Sequence, residues 1–281
     1  MRFSDYFTES RKKPVISFEI FPPRTDKGMD NLKDVLSELA ELDPDYITVT
    51  YGAMGTTRDK TIGISSMIKD EFGIESACHL TCVGSSKKEL DILLGRIYDS
   101  GIRNIVAIRG DPPGGTGKFV AVKDGYSYAN ELVEHIRKFE LDNSDIREKF
   151  GIAVGGYPEK HLEAPDMETD IANLGRKVDS GADLVITQLF FDNSYYFDFL
   201  GRVEEAGITV PIVPGLMPIL NASQIERITT MCGTNIPHEL KCKLDMAGDN
   251  NEEACLIGIQ QCINQAEELL RSGAPGIHFY V

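Results

Sequence analysis

Glu19 stands between Phe18 and Ile20 in the stretch SFEIFPPRT, residues 17–25, which otherwise reads as a buried strand halted at Pro22-Pro23. Burying a carboxylate costs several kcal/mol unless it is paired or protonated. An apolar setting raises the pKa of a carboxyl, so such a group keeps a proton available near neutral pH. A second carboxyl, Asp111, follows Arg109-Gly110 and precedes two prolines. Two carboxyls in unlike surroundings suit acid–base chemistry. Further polar groups recur where apolar runs end: Thr50-Tyr51, His79 with Thr81, Tyr157 with Glu159 and His161, Gln188, and Tyr280.

These residues sit on a repeating frame. Short β-branched runs at 15–21, 46–50, 77–82, 104–110, 152–158, 184–190, 211–217 and 276–281 predict eight strands. Amphipathic stretches such as MDNLKDVLSELAEL and SYYFDFLGRVEEAG lie between them, several ending at glycine. Strand–helix alternation requires parallel strands joined by crossovers, and eight units in a chain of 281 residues match a (β/α)8 TIM barrel. A doubly wound sheet would carry a glycine-rich turn after its first strand, where this chain has FPPRT. The expected organisation is one α/β barrel domain over 1–281, with an N-terminal extension of about 1–14. The active site of such a barrel lies at the C-terminal ends of the strands, where the polar residues above fall.

Several other chemistries are disfavoured. GDPPGGTGKF resembles a phosphate-binding loop, but Pro112 stands where the first glycine belongs and Phe119 replaces the Ser/Thr. No G-x-G-x-x-G follows a strand, and no metal is expected, because the five histidines lack ligand spacing. The six cysteines, without a C-x-x-C pair, read as reduced thiols. A net charge of −15 argues against nucleic-acid partners or an anionic membrane surface. The N-terminus lacks an apolar h-region and PIVPGLMPIL is too short for a membrane span, so a cytoplasmic location is expected.

SFEIFPPRT, VTYGA, HLTC, RGDPP, YPEKH, NLGRKVDSGAD, ITQLFFDN and PGLMPI resemble, in order, segments of the methylenetetrahydrofolate reductase family. The resemblance implies an FAD-containing barrel that reduces 5,10-methylenetetrahydrofolate to 5-methyltetrahydrofolate with NADH or NADPH. Such an enzyme serves one-carbon metabolism and methionine biosynthesis. Matched position by position, Glu19 becomes the catalytic acid and Asp111 a second catalytic carboxylate beside flavin and pterin. The same matching gives FAD contacts to Thr50, Tyr51, His79, Arg109, Gly110, Asp111, Tyr128, Ala129, Tyr157, His161, Ala164, Asp170, Asn173, Arg176 and Lys177. Folate contacts fall to Gln188, Gln224 and Tyr280.

Two departures bear on partners. The chain ends at HFYV, where many relatives continue and place an arginine on the folate, and Ile228 stands where bacterial relatives carry a stacking phenylalanine. They raise the expectation of an electron-transfer partner subunit that replaces direct NAD(P)H use; a homo-oligomer is the other expected assembly. Alternatives from other classes are a flavin-free barrel lyase or aldolase and a non-catalytic scaffold.

Overall fold

A computed structural model describes residues 1–23, 25–51, 58–110, 120–248 and 250–281, with Asp26, Arg58, Ala222, Ser223, Gln224 and Glu226 described by backbone alone. The strands are β1 (Val15–Ile20), β2 (Tyr46–Val49), β3 (Glu75–Thr81), β4 (Asn104–Ile108), β5 (Gly151–Gly156), β6 (Leu184–Thr187), β7 (Ile212–Val213), β8 (Gly215–Leu216) and β9 (Gly276–Tyr280). Their order is β7-β6-β5-β4-β3-β2-β1-β9-β8. The two ends of that order are halves of one predicted strand, 211–217, divided at Pro214. Proline has no N–H for the ladder, so a strand run through it breaks. The N–H of Gly215 instead donates to Thr187 Oγ1 at 2.9 Å. With the helices interposed, this is the connectivity of a (β/α)8 barrel.

The helices are α1 (Phe3–Tyr6), α2 (Asp26–Glu41), α3 (Arg58–Phe72), α4 (Lys87–Asp99), α5 (Ala129–Asp142), α6 (Met167–Asp179), α7 (Asn193–Glu205), α8 (Ala222–Cys232), α9 (His238–Ala247) and α10 (Asn251–Arg271). The glycine stops read from the sequence hold at α4 and α7: Gly101 and Gly207 take φ of 75° and 73°, a region that costs side-chain-bearing residues more. Among the described residues no helix is long and apolar enough to cross a membrane.

The chain packs as two compact units. The first comprises 1–11, 15–154 and 176–184; the second comprises 12–14, 155–175 and 185–281. In the first, β1 to β5 pair in parallel register, Glu19 opposite Thr48 and Thr48 opposite Ala77. The expected N-terminal extension is anchored: Phe3 and Tyr6 of α1 pack their rings 5.0 and 5.5 Å from that of Tyr46. Side chains at the N-terminal ends of the strands close charge networks. Arg137 donates to Asp183 at 2.7 Å and to Glu140 at 3.0 Å, while Asp183 and Glu140 accept the N–H groups of Ile152 and Phe150 at 2.8 and 2.6 Å. In the second unit β6 pairs β7 and β8 pairs β9. Leu189, Phe191, Ile219, Ile225, Leu240 and Leu244 form its apolar cluster, against which Ile228 and Tyr280 pack.

Candidate active site

Successive residues of a strand face opposite sides, so register decides which side chains meet. Glu19, Thr48 and His79 come from three neighbouring strands and share one face, because Glu19 pairs with Thr48, Thr48 with Ala77, and His79 is two residues beyond Ala77. All three are buried. The Thr48 hydroxyl donates to Glu19 Oε2 at 3.3 Å. His79 Nε2 lies 3.1 Å from the same oxygen, but out of line for a directed hydrogen bond. The Glu19 carboxyl is therefore not set in hydrocarbon alone: a hydroxyl and an imidazole abut one of its oxygens.

Other expected site residues of the first unit continue along the strand ends. Buried Thr50 accepts the Thr61 hydroxyl at its carbonyl, 2.9 Å away. Thr81, which the sequence placed beside His79, keeps a buried hydroxyl that has no partner among the described residues. Tyr51 and Arg109 are half-buried, and the Arg109 carbonyl accepts the Val83 N–H at 3.0 Å. Gly110 has φ of 84°, and a Cβ there would lie 2.5 Å from Val83 Cγ1, so only glycine fits without strain. Tyr128 is exposed just before α5, which begins at Ala129; Glu131 accepts the N–H groups of Ser127 and Tyr128 at 2.7 and 2.9 Å. Asp111 and most of the 111–127 loop lie outside the described residues.

In the second unit the residues after β5 form a strap. The rings of Tyr157 and His161 meet edge to face at 4.6 Å, the His161 N–H donates to Asp170 at 2.9 Å, and buried Ala164 follows. Lys160, at φ of 74°, directs Nζ to the carbonyls of His161 and Ala164. Glu159 accepts the backbone and side-chain N–H groups of Asn235 at 2.9 and 2.6 Å, while its other oxygen is buried without a partner among the described residues. Desolvation raises the Glu159 pKa above its ordinary value, against the lowering effect of those bonds. Neither the Lys160 anchor nor the Asn235 clasp was read from the sequence. Residues 159 and 235 are far apart in the chain and no periodicity links them.

Asp170 and Asn173 lie three apart on α6, with Asp170 buried and Asn173 half-buried; Arg176 is exposed and Lys177 half-buried near the helix end. A helical spacing of three or four puts residues on one side. Gln188 is half-buried and uses Oε1 to accept the N–H of Leu189 at 2.9 Å. The Tyr280 hydroxyl donates to the Thr187 carbonyl at 2.7 Å, and its ring occupies the space a side chain at Gly215 would need. Gln224 lies on α8, its side chain outside the described residues.

Comparison with known proteins gives a consistent answer. The family model described as methylenetetrahydrofolate reductase matches residues 4–281. A maize protein named methylenetetrahydrofolate reductase (NADH) 1 is 38% identical over 277 residues, covering 95% of this chain; this chain spans 46% of that protein, about half its length. The Escherichia coli 5,10-methylenetetrahydrofolate reductase is 38% identical over 265 residues, covering 94% of this chain and 85% of its own. Among solved structures, a Clostridium thermocellum protein described as binding two copies of 5-methyl-5,6,7,8-tetrahydrofolic acid superposes with a TM-score of 0.62 at 18% identity, covering 96% of this chain and 89% of that one. That likeness concerns the fold, whereas the two sequence relatives and the family model carry the assignment. The chain belongs to the methylenetetrahydrofolate reductase family, a family of oxidoreductases.

Proposed function

We propose that the protein reduces 5,10-methylenetetrahydrofolate to 5-methyltetrahydrofolate, with FAD as resident cofactor, NADH as reductant and Glu19 as general acid. The observation that carries this reading is the buried Glu19 carboxyl at the end of β1, within reach of Thr48 and His79. The names of the relatives supply the substrate, and the maize name supplies NADH.

The residues present fit a flavin. The Thr81 hydroxyl, without a partner among the described residues, and the side-chain-free backbone at Gly110 suit an outside ligand that brings its own polar atoms. Thr50, Tyr51, His79, Arg109, Tyr128, Ala129, Tyr157, His161, Ala164, Asp170, Asn173, Arg176 and Lys177 would hold it, the cations answering its phosphates. FAD, when bound, supplies the hydride.

The protein's own task is protonation. The one-carbon bridge of the substrate accepts hydride poorly until its five-membered ring opens, and opening requires a proton at N10. Glu19 gives that proton and becomes a carboxylate as the N10–carbon bond breaks, leaving the N5 iminium. Asp111, kept ionised, stabilises that cation. Gln188, Gln224 and Tyr280 orient the folate. This reading places the reaction in the cytoplasm.

Anaerobic stopped-flow of the purified protein tests the proposal. In Glu19→Gln, exchange with methyltetrahydrofolate should slow by about 10²–10⁴, while NADH bleaches the flavin within a few-fold of wild type. Equal loss of both half-reactions would remove the assigned role. A second reading, electrons delivered by a partner subunit, is favoured by Ile228, an aliphatic side chain packed against the apolar cluster. Flavin bleached by methyltetrahydrofolate but not by NADH would select it.

A further inference from the structure

Resting on the proposed contact of Gln188 with folate, we infer that Gln265 is a positioning residue that fixes where Gln188 stands. Gln188 begins the connection from β6, which ends at Thr187, to α7, which starts at Asn193. Its N–H reaches the Gly156 carbonyl at 2.8 Å, and the register of β6 with β7 stops at Ile186. Past that point side chains tie the connection down. Gln188 Oε1 accepts the Leu189 N–H at 2.9 Å, so the side-chain amide follows the backbone of 189–190. That backbone is held from α10. Gln265 Nε2 donates to the Phe190 carbonyl and Gln261 Nε2 to the Phe191 carbonyl, both at 3.1 Å.

A peptide carbonyl only accepts, so the nitrogen of the Gln265 amide must face Phe190. The same reasoning orients Asn193, whose Nδ2 donates to the Gln265 carbonyl at 3.2 Å and whose Oδ1 accepts Gln265 Nε2 at 3.2 Å. Gln265 and Asn193 are both buried, and burial keeps water from replacing a lost bond. Gln261 and Gln265 stand four apart on one side of α10, which reads in the sequence as an ordinary amphipathic helix.

Anaerobic stopped-flow of the flavin-loaded protein across methyltetrahydrofolate concentrations tests this, because it separates Kd from the limiting rate. Gln188→Ala should weaken folate binding. Gln265→Leu should weaken it about tenfold, the worth of one hydrogen bond, with the limiting rate and the flavin content near wild type. Placed on Gln188→Ala, Gln265→Leu should add nothing, because its effect runs through Gln188. Should Gln265→Leu not fold, Gln261→Leu at its half-buried position carries the same pair of comparisons, with an expected effect of about threefold. An unchanged Kd, or the full loss repeated on Gln188→Ala, overturns the inference and leaves the proposed reaction intact. Wild-type folate affinity in Gln188→Ala overturns the folate contact itself, and the inference with it.

Discussion

The two ends of the strands in the first unit treat acids in different ways. At the N-terminal ends Asp183 and Glu140 are matched by the Arg137 guanidinium and by backbone N–H groups, with partners at 2.6–3.0 Å. At the C-terminal ends Glu19 meets a threonine and an imidazole, and the neighbouring Thr81 hydroxyl has no partner among the described residues. A carboxylate saturated with cations and N–H donors holds its negative charge and cannot give a proton. The first arrangement fastens strands; the second surrounds the proposed acid.

That contrast can be broken by exchanging stability for activity. The largest effect should be on catalysis: Glu19→Gln slows the folate half-reaction by two or more orders of magnitude and leaves the urea midpoint within error. Arg137→Met should do the reverse, because it strands the nearly inaccessible Glu140 carboxylate. A loss of about 3 kcal/mol in urea unfolding is expected, with flavin-bound protein turning over normally; a variant as stable as wild type would deny the network its fastening role. Gly110→Ala tests the C-terminal end itself. Positive φ and the Val83 contact should cost about 1–3 kcal/mol, and dialysis should strip flavin faster than from wild type.

The smallest effect concerns pH. Desolvation holds the Glu159 carboxyl above its ordinary range, so the folded chain keeps a proton that the unfolded chain has lost. Stability should therefore fall as pH rises from about 4.3, the unfolded value, through the folded one. Glu159→Gln should flatten that part of the stability profile, measured as urea midpoints across the acid range. An unchanged slope would show that the Asn235 bonds outweigh burial.

The sequence made most of the frame legible, since β-branched runs and glycine stops mark strands and helix ends through local sterics. Its one error of count came from Pro214, whose effect depends on a missing ladder bond rather than on hydropathy. Glu19 was readable because an acid in an apolar run violates the expected pattern. Thr48 was not, because threonine satisfies the pattern and its partner lies in another strand. His79 drew attention as a polar residue in an apolar strand, but its nearness to Glu19 needed the register. Glu159–Asn235 and Lys160–Ala164 depend on loop paths that no periodicity encodes.

The break at Pro214 has a consequence for how the second unit breathes. Where β7 gives way to β8, side chains supplement the short ladders: the Thr187 hydroxyl takes the Gly215 N–H and the Tyr280 phenol the Thr187 carbonyl, beside the His278 amide that reaches the Pro214 carbonyl. Side-chain latches release one at a time, whereas a ladder must unzip. Deuterium should therefore enter the amides of 212–216 well before those of β3 and β4, making this seam the place where the wall first admits solvent.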